Sequence, residues 1–429
     1  MSSPGYNFSG CTVQKANLTQ KLWERLSPQQ ERALRALLSL APEAPIYLVG
    51  GAVRDLLLGL PSIDLDLVVE GDAPALAISL AEALSARAVV HRRFGTATVR
   101  GRDFHVDLAT ARAESYPRPG APPSVRPASI AEDLARRDFT INAMALGLAG
   151  PHRERLLDPH GGQADLEAGL LRVLHEASFR DDATRILRAA RYAARLSFRI
   201  EELTLAWLRR DLHYLDTISG PRLRHELLRC LQEERPEEAL LVLAELGVLA
   251  RLHPSLSFDA AAAGALARAR REAGREASPL LGLAMLGARL QENEALAVAS
   301  RLALTRAERQ VLLAMARLRA LAPELASPER APSHICALLD GYPPAALWAY
   351  AFTVDNPLTR QRVLDYLRQW RHRRPHLTGR DLANLGVPPG PAMGRVLAHL
   401  RDACRDGRVR TRQEEVELVR SLLAGGLGS

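Results

Sequence analysis

The chain has 429 residues, 47% apolar and 25% charged, which excludes a disordered or collagen-like protein and predicts two to four domains at roughly 100–200 residues each. Its formal charge of +8 favours a polyanionic partner, although only Lys15 and Lys21 are lysines and so strong an arginine bias also fits GC-rich coding. No apolar run is long enough for a membrane span, Met1–Cys11 lacks the pattern of a secretory signal, and cysteines at 11, 230, 336 and 404 form neither a zinc knuckle nor a disulfide framework, so a cytoplasmic protein is expected.

Residues 1–40 are polar and then weakly helical. Ile46–Val49 is a short β-rich run ending in Gly50-Gly51, and Ala52–Leu58 is helical. Ile63–Val69 reads as a strand and Pro74–Leu84 as a helix; Ala88–His91, Thr96–Arg100 and His105–Ala109 read as further strands. Pro117–Pro127, with five prolines and a glycine, predicts an irregular loop. After Pro159-His160-Gly161-Gly162 the strands stop, and helical periodicity rich in Ala, Leu and Arg runs to the end. The predicted organisation is an extension over 1–44, an α+β head over 45–148, a helical neck over 149–225, a helical body over 226–325 and a helical tail over 326–429.

Two features of the head point to chemistry. Alternation along a strand puts Asp64 and Asp66 on one face and Ile63, Leu65 and Leu67 on the other. Two carboxylates roughly 7 Å apart repel each other, and hard oxygen ligands at that spacing suit Mg²⁺. An exposed edge with solvated acids is the bland alternative. Gly50-Gly51, between a strand and a helix, lets backbone N–H groups approach a triphosphate, and Arg54 lies one turn further on. Asp55 is expected to cap or pair. A lone glycine pair is most often a tight turn; G-G-x-x-R-D followed by D-x-D is far more specific.

Gly50-Gly51-Ala52-Val53-Arg54-Asp55, Asp64-Leu65-Asp66, Arg93-Phe94-Gly95-Thr96-Ala97, Arg136-Arg137-Asp138-Phe139-Thr140-Ile141-Asn142-Ala143 and Asp182-Ala183-Thr184-Arg185-Ile186-Leu187-Arg188 stand in order over about 45–225. In this the chain resembles the class II tRNA nucleotidyltransferases of the polymerase-β superfamily, whose close relatives are bacterial poly(A) polymerases. The resemblance implies a polymerase-β-like nucleotidyltransferase sheet followed by an all-α neck, body and tail. It implies that Asp64 and Asp66 are Mg²⁺ ligands and that Gly51 and Arg54 hold the incoming triphosphate. Arg137 matches a nucleotide-contacting arginine, and Asp138 and Asn142 match ribose-side positions; helix capping is the rival role for Asp138. Asp107 lies where the superfamily often has a third carboxylate, with a buried pair to an arginine as the alternative.

The neck carries the base-selection expectation. Asp182 and Arg185, three apart on a helix, would face the same way. A carboxylate accepts from an exocyclic amine and a guanidinium donates to a ring nitrogen. Cytosine and adenine offer that pair, whereas guanine and uracil offer a carbonyl and an N–H. Arg188 and Arg191 continue the stripe and match further nucleotide-contacting positions; a solvated basic face is the alternative. Many relatives read Glu-Asp where this chain has Asp181-Asp182. In the tail, Thr378-Gly379-Arg380-Asp381 predicts a glycine-punctuated turn that either presents N–H groups to phosphate or simply joins two helices.

The implied activity is template-independent addition of C and A from CTP and ATP to the tRNA 3′ end, with body and tail gripping the acceptor arm and T-loop. CC-only or A-only addition, poly(A) polymerase and a non-catalytic RNA-binding protein are the alternatives. Retention of both strand aspartates and both neck residues argues against the last, and the wording of Arg93-Phe94-Gly95-Thr96 argues against poly(A) polymerase. The sequence is silent on oligomeric state.

Overall fold

The computed structural model describes residues 18–60 and 64–425. Contacts divide the chain into two compact units, residues 1–219 and 220–429.

The first unit is built on a seven-stranded sheet. In chain order the strands of this unit are β1 (Ile46–Val49), β2 (Leu65–Val69), β3 (Arg87–His91), β4 (Thr96–Arg100), β5 (His105–Thr110), β6 (Arg112–Ser115), β7 (Ser124–Pro127), β8 (Ala145–Ala149), β9 (Leu156–Leu157), β10 (Leu170–Leu171) and β11 (Arg199–Ile200). The sheet order is β3-β4-β5-β2-β1-β8-β9. Every neighbouring pair is antiparallel except β2 and β5, whose parallel register sets Asp66 against Asp107. That pairing positions the chemistry.

Helices α1 (Leu18–Arg25), α2 (Pro28–Leu40), α3 (Gly51–Leu58) and α4 (Ala73–Ala83) contribute to the core on one side of the sheet. A capping box at Ser27 and proline at the first helical position fix the start of α2. Leu22, Leu34 and Leu37 are fully buried in the same core as Leu48, Leu65 and Leu67. Residues 18–40 therefore complete the head core: the helical face bearing those leucines covers one side of the sheet.

Two local expectations are corrected. The proline-rich segment is not wholly irregular: β7 pairs antiparallel with β6, Arg112 opposite Pro127. Proline is tolerated there because the ribbon has only two strands and leaves an open edge. Strands also do not stop at Gly162, since β10 and β11 form a two-residue parallel pair, too short to leave a periodic signal.

The connection into the helical region is made by α5 (Ile130–Ala135), α6 (Gly162–Glu167), α7 (Ser178–Asp181), α8 (Thr184–Leu196) and α9 (Glu202–Asp211). The second unit, from Gly220, is helical wherever it is regular. Its C-terminal part has its own core around Leu377, Leu382, Val396, Leu400 and Val419. There Thr378 caps the helix Gly379–Asn384 in a capping box with Asp381, which also pairs with Arg412 at 2.6 Å. Among the described residues no helix is long and apolar enough to cross a membrane.

Candidate active site

Asp66 and Asp107 lie side by side at the centre of the sheet and line a cleft of about 360 Å³ with Thr96, Thr98, Arg136 and Arg137. Leu65 and Leu67 point into the core on the other face, 1% and 2% exposed, as strand alternation requires. Asp64 stands just before β2 and is exposed, with the His105 imidazole 3.8 Å from its carboxylate. Ile63, expected to begin the strand, lies outside the described residues.

Burial and the neighbouring Asp107 and Asp64 carboxylates push the Asp66 carboxyl up to about 6, against the pull of Arg137 and His105. Such mutual repulsion between acids favours a bound cation. Asp107 also accepts a hydrogen bond from the Thr98 hydroxyl on β4, a contact with no sequence signal beyond strand register. Among the described residues no three acidic, histidine or cysteine side chains form a cage that would hold a metal unaided. Mg²⁺, however, commonly takes one or two carboxylates and completes its shell with phosphate oxygens and water. The donor set of Asp64 and Asp66, beside Asp107, fits that mode.

Behind the cleft lies an arginine-rich scaffold. Gly50 precedes α3 with φ +67°, and a Cβ there would stand 2.6 Å from Arg137 Nη1. The positive φ favours glycine, and a Cβ there would push the Arg137 guanidinium aside. Gly51 opens α3. Arg137 donates to Asp133 at 2.9 Å and to the Asn142 carbonyl at 3.5 Å. Asp133 is fully buried and also accepts from Arg136 at 2.8 and 2.9 Å. Burial raises its pKa, but Arg137 and Arg136 outweigh that and hold it below the ordinary carboxylate value. Asp133 was missed in the sequence. Its spacing of three and four residues from the two arginines is the signal that identifies it.

Arg54 is 2% exposed, between Asp55 at 2.7 Å and the Asn142 Oδ1 at 2.6 Å. Asp55 does pair, as anticipated. Asn142 passes the chain of bonds on, its amide donating to Asp138 at 3.0 Å. Asp138 does not cap a helix. Its second oxygen accepts from Arg188 at 2.6 and 2.8 Å, and although burial pushes its pKa up, Arg188 and the Asn142 bond bring it down to about 2. Arg54, Arg188 and Arg191 all stand over the ring of Tyr192, at 5.2, 5.6 and 4.6 Å from its centroid. Tyr192, one turn beyond Arg188, is a second residue the sequence reading passed over.

The neck geometry differs from the expected single helix. Asp182 lies between α7 and α8 in extended conformation, φ −141° and ψ 98°. Its carboxylate accepts from the Thr184 N–H at 3.0 Å and the Thr184 hydroxyl at 2.7 Å. Aspartate favours such a turn over a helix interior because its side chain satisfies the backbone two residues on. Arg185, in the first turn of α8, is 5% exposed and donates to the Ser178 hydroxyl at 2.7 Å and the Arg136 carbonyl at 2.8 Å. Arg136 links this helix to the β6–β7 ribbon, for it also donates to Glu114 at 2.8 Å. Glu114 in turn accepts from the Tyr116 hydroxyl at 2.8 Å. Burial and Glu114 push the Tyr116 phenol far up, while Arg185 pulls it down.

A half-buried acidic pair beside a glycine turn and a bank of arginines is suited to transferring a phosphoryl-linked group. Comparison with known proteins agrees. Residues 46–172 match the family model described as "Poly A polymerase head domain", and 197–259 match "Probable RNA and SrmB- binding site of polymerase A". The CC-adding tRNA nucleotidyltransferase of Deinococcus radiodurans is 38% identical over 409 residues, 94% of this chain and 96% of that protein. The A-adding tRNA nucleotidyltransferase of Halalkalibacterium halodurans is 36% identical over 387 residues, 87% of this chain and 88% of that protein. A solved Thermotoga maritima CCA-adding enzyme in complex with tRNA superposes with a TM-score of 0.74 at 30% identity, covering 95% of this chain and 99% of that one. From head to final helix, the chain belongs to the family of tRNA nucleotidyltransferases that add nucleotides of the CCA end.

Proposed function

We propose that this protein adds both C and A to the 3′ end of tRNA, using CTP and ATP and releasing pyrophosphate. The observation that supports nucleotidyl transfer is the registered pair Asp66–Asp107 beside the Gly50–Arg137 turn; addition of both C and A rests on the Asp182–Arg185 expectation. Mg²⁺, when bound by Asp64 and Asp66, would neutralise the triphosphate and make the RNA 3′ hydroxyl more acidic. Asp107, in register with Asp66, would receive the proton of that hydroxyl. The 3′ oxygen forms a bond to the α-phosphorus as the bond to the pyrophosphate oxygen breaks. Gly51, Arg54 and Arg137 belong to the triphosphate side of the site; Asp138 and Asn142, held by Arg188 and Arg54, belong to the ribose side. Asp182 and Arg185 select the base through the amine and ring nitrogen shared by C and A, with Arg188 and Arg191 behind them.

A second reading is partial addition, CC or A alone. It is favoured by the names of the two relatives above, one of each kind, with similar coverage of this chain. One assay separates the readings. Purified protein is given tRNAs ending before CCA, after C and after CC, with CTP, ATP or both, and product lengths are read. Full CCA addition predicts extension of all three to the mature end when both nucleotides are present. A product that stops at CC, or extension only of the tRNA already ending in CC, would replace the first reading with the second.

A further inference from the structure

Tyr192 lies on α8, 9% exposed, with the Arg54, Arg188 and Arg191 guanidiniums over its ring at 5.2, 5.6 and 4.6 Å from the centroid. The transfer step itself gives it no role. The three arginines come from two elements, Arg54 from α3 and the others from α8. Residues three apart on a helix are surface neighbours, so Arg188 and Arg191 repel each other, and Arg54 brings a third positive charge to the same place. Carboxylates engage two of them, Asp55 holding Arg54 at 2.7 Å and Asp138 holding Arg188 at 2.6 Å. The negative face of an aromatic ring attracts guanidiniums, most strongly where water is excluded. Arg54 and Arg191 are themselves buried. The ring is fixed in turn by the buried Phe139, which meets it nearly at right angles, 5.8 Å between centroids and 81° between planes. An aliphatic side chain of similar size would fill the space and hold none of the guanidiniums.

We propose that Tyr192 is a positioning residue for the incoming nucleotide, resting on the assignment of these arginines to the nucleotide proposed above. Its ring ties the triphosphate-side Arg54 of α3 to Arg188 and Arg191 of α8, so that both ends of the nucleotide meet groups already in place. Tyr192 does not line the Asp66–Asp107 cleft and acts through the arginines. Arginines held in this way bind nucleotide equally in the ground and transition states, so the ring governs KM and leaves kcat nearly unchanged.

The test is steady-state addition by the full chain, with CTP or ATP on a tRNA that accepts it. The variants are Tyr192→Phe, Tyr192→Leu and a series carrying phenylalanine with one, two or three ring fluorines at position 192. Fluorine drains the ring face of negative charge and changes its shape little. Tyr192→Phe should stay close to wild type, since it loses only the long 3.5 Å bond from Arg188 to the hydroxyl. Tyr192→Leu should raise KM about tenfold, the effect of a desolvated cation–π contact, and KM should climb stepwise along the fluorine series at constant kcat. The series decides the matter even where Tyr192→Leu lowers the melting temperature. Arg54→Ala tests the underlying assignment and should raise KM as well. A flat KM across the fluorine series with a raised KM in Arg54→Ala would overturn the role of Tyr192 alone. An unchanged KM in Arg54→Ala would overturn the assignment of Arg54 to the nucleotide, and the role of Tyr192 with it.

Discussion

Arg185 is the side chain on which base choice is expected to turn, and its surroundings define the experiment. It is anchored by Ser178 and the Arg136 carbonyl, so its position is fixed by protein before any base arrives. Replacing it with alanine should cost about 1.5–3 kcal/mol for CTP and ATP, roughly 10- to 150-fold in kcat/KM. On the proposed base reading UTP and GTP do not use that contact, so they should lose less. The ratio of efficiencies for CTP over UTP should therefore fall in Arg185→Ala and in Asp182→Ala; equal slowing with all four nucleotides would mean that the pair supports the fold of the neck alone. Asp138 gives a prediction about pH. Its folded pKa of about 2 lies below the unfolded value near 3.9, so its bond to Arg188 contributes fully above about pH 4 and is lost as pH falls towards 2. The contribution is roughly 2 kcal/mol. Asp138→Asn should thus be less stable than wild type at pH 7 and converge on it by pH 2 in chemical denaturation; a constant difference would assign the effect to packing.

At the scale of elements, the turn between β1 and α3 holds the most specific geometry. Gly50→Ala forces a Cβ into a positive-φ position and against Arg137 Nη1. The backbone strain alone should cost about 1–3 kcal/mol of stability. Displacing Arg137 from the roof of the cleft should also raise the KM for nucleotide. A fall in melting temperature with unchanged KM would remove Arg137 from nucleotide binding. The sequence made this turn and the strands β1, β2, β4 and β5 legible because apolar runs, alternating acids and glycines are local signals. It left strand β8 (Ala145–Ala149) unread, and two further features were masked. The β6–β7 ribbon was masked by prolines that sit at an open edge, where they forfeit little. The break in the neck at Asp182 was masked because helical spacing from Asp182 to Arg185 looks the same whether or not the first residue has entered the helix. Partners fixed by tertiary contact, such as Thr98 for Asp107, Ser178 for Arg185 and Arg188 for Asp138, carry no spacing rule at all.

For the whole molecule, the formal charge of +8 has to be separated from coding bias. Much of the arginine complement is engaged internally, as in Arg54, Arg136, Arg137 and the carbonyl-bound Arg362. If the remaining arginines contact RNA phosphates, tRNA affinity should fall steeply with salt, with a log–log slope of several units. A flat dependence would mark the charge as compositional. The central claim is that the acidic pair on the sheet performs nucleotidyl transfer to an RNA end that the protein binds by other means. It is tested most directly by assaying CTP and ATP incorporation and tRNA affinity together in wild type, Asp66→Ala and Asp107→Ala. Asp66→Ala should abolish incorporation, Asp107→Ala should lower it by at least 100-fold, in line with loss of a general base at about 10²–10⁴-fold, and both should keep tRNA affinity within a few-fold. Near-wild-type incorporation by either variant would contradict it.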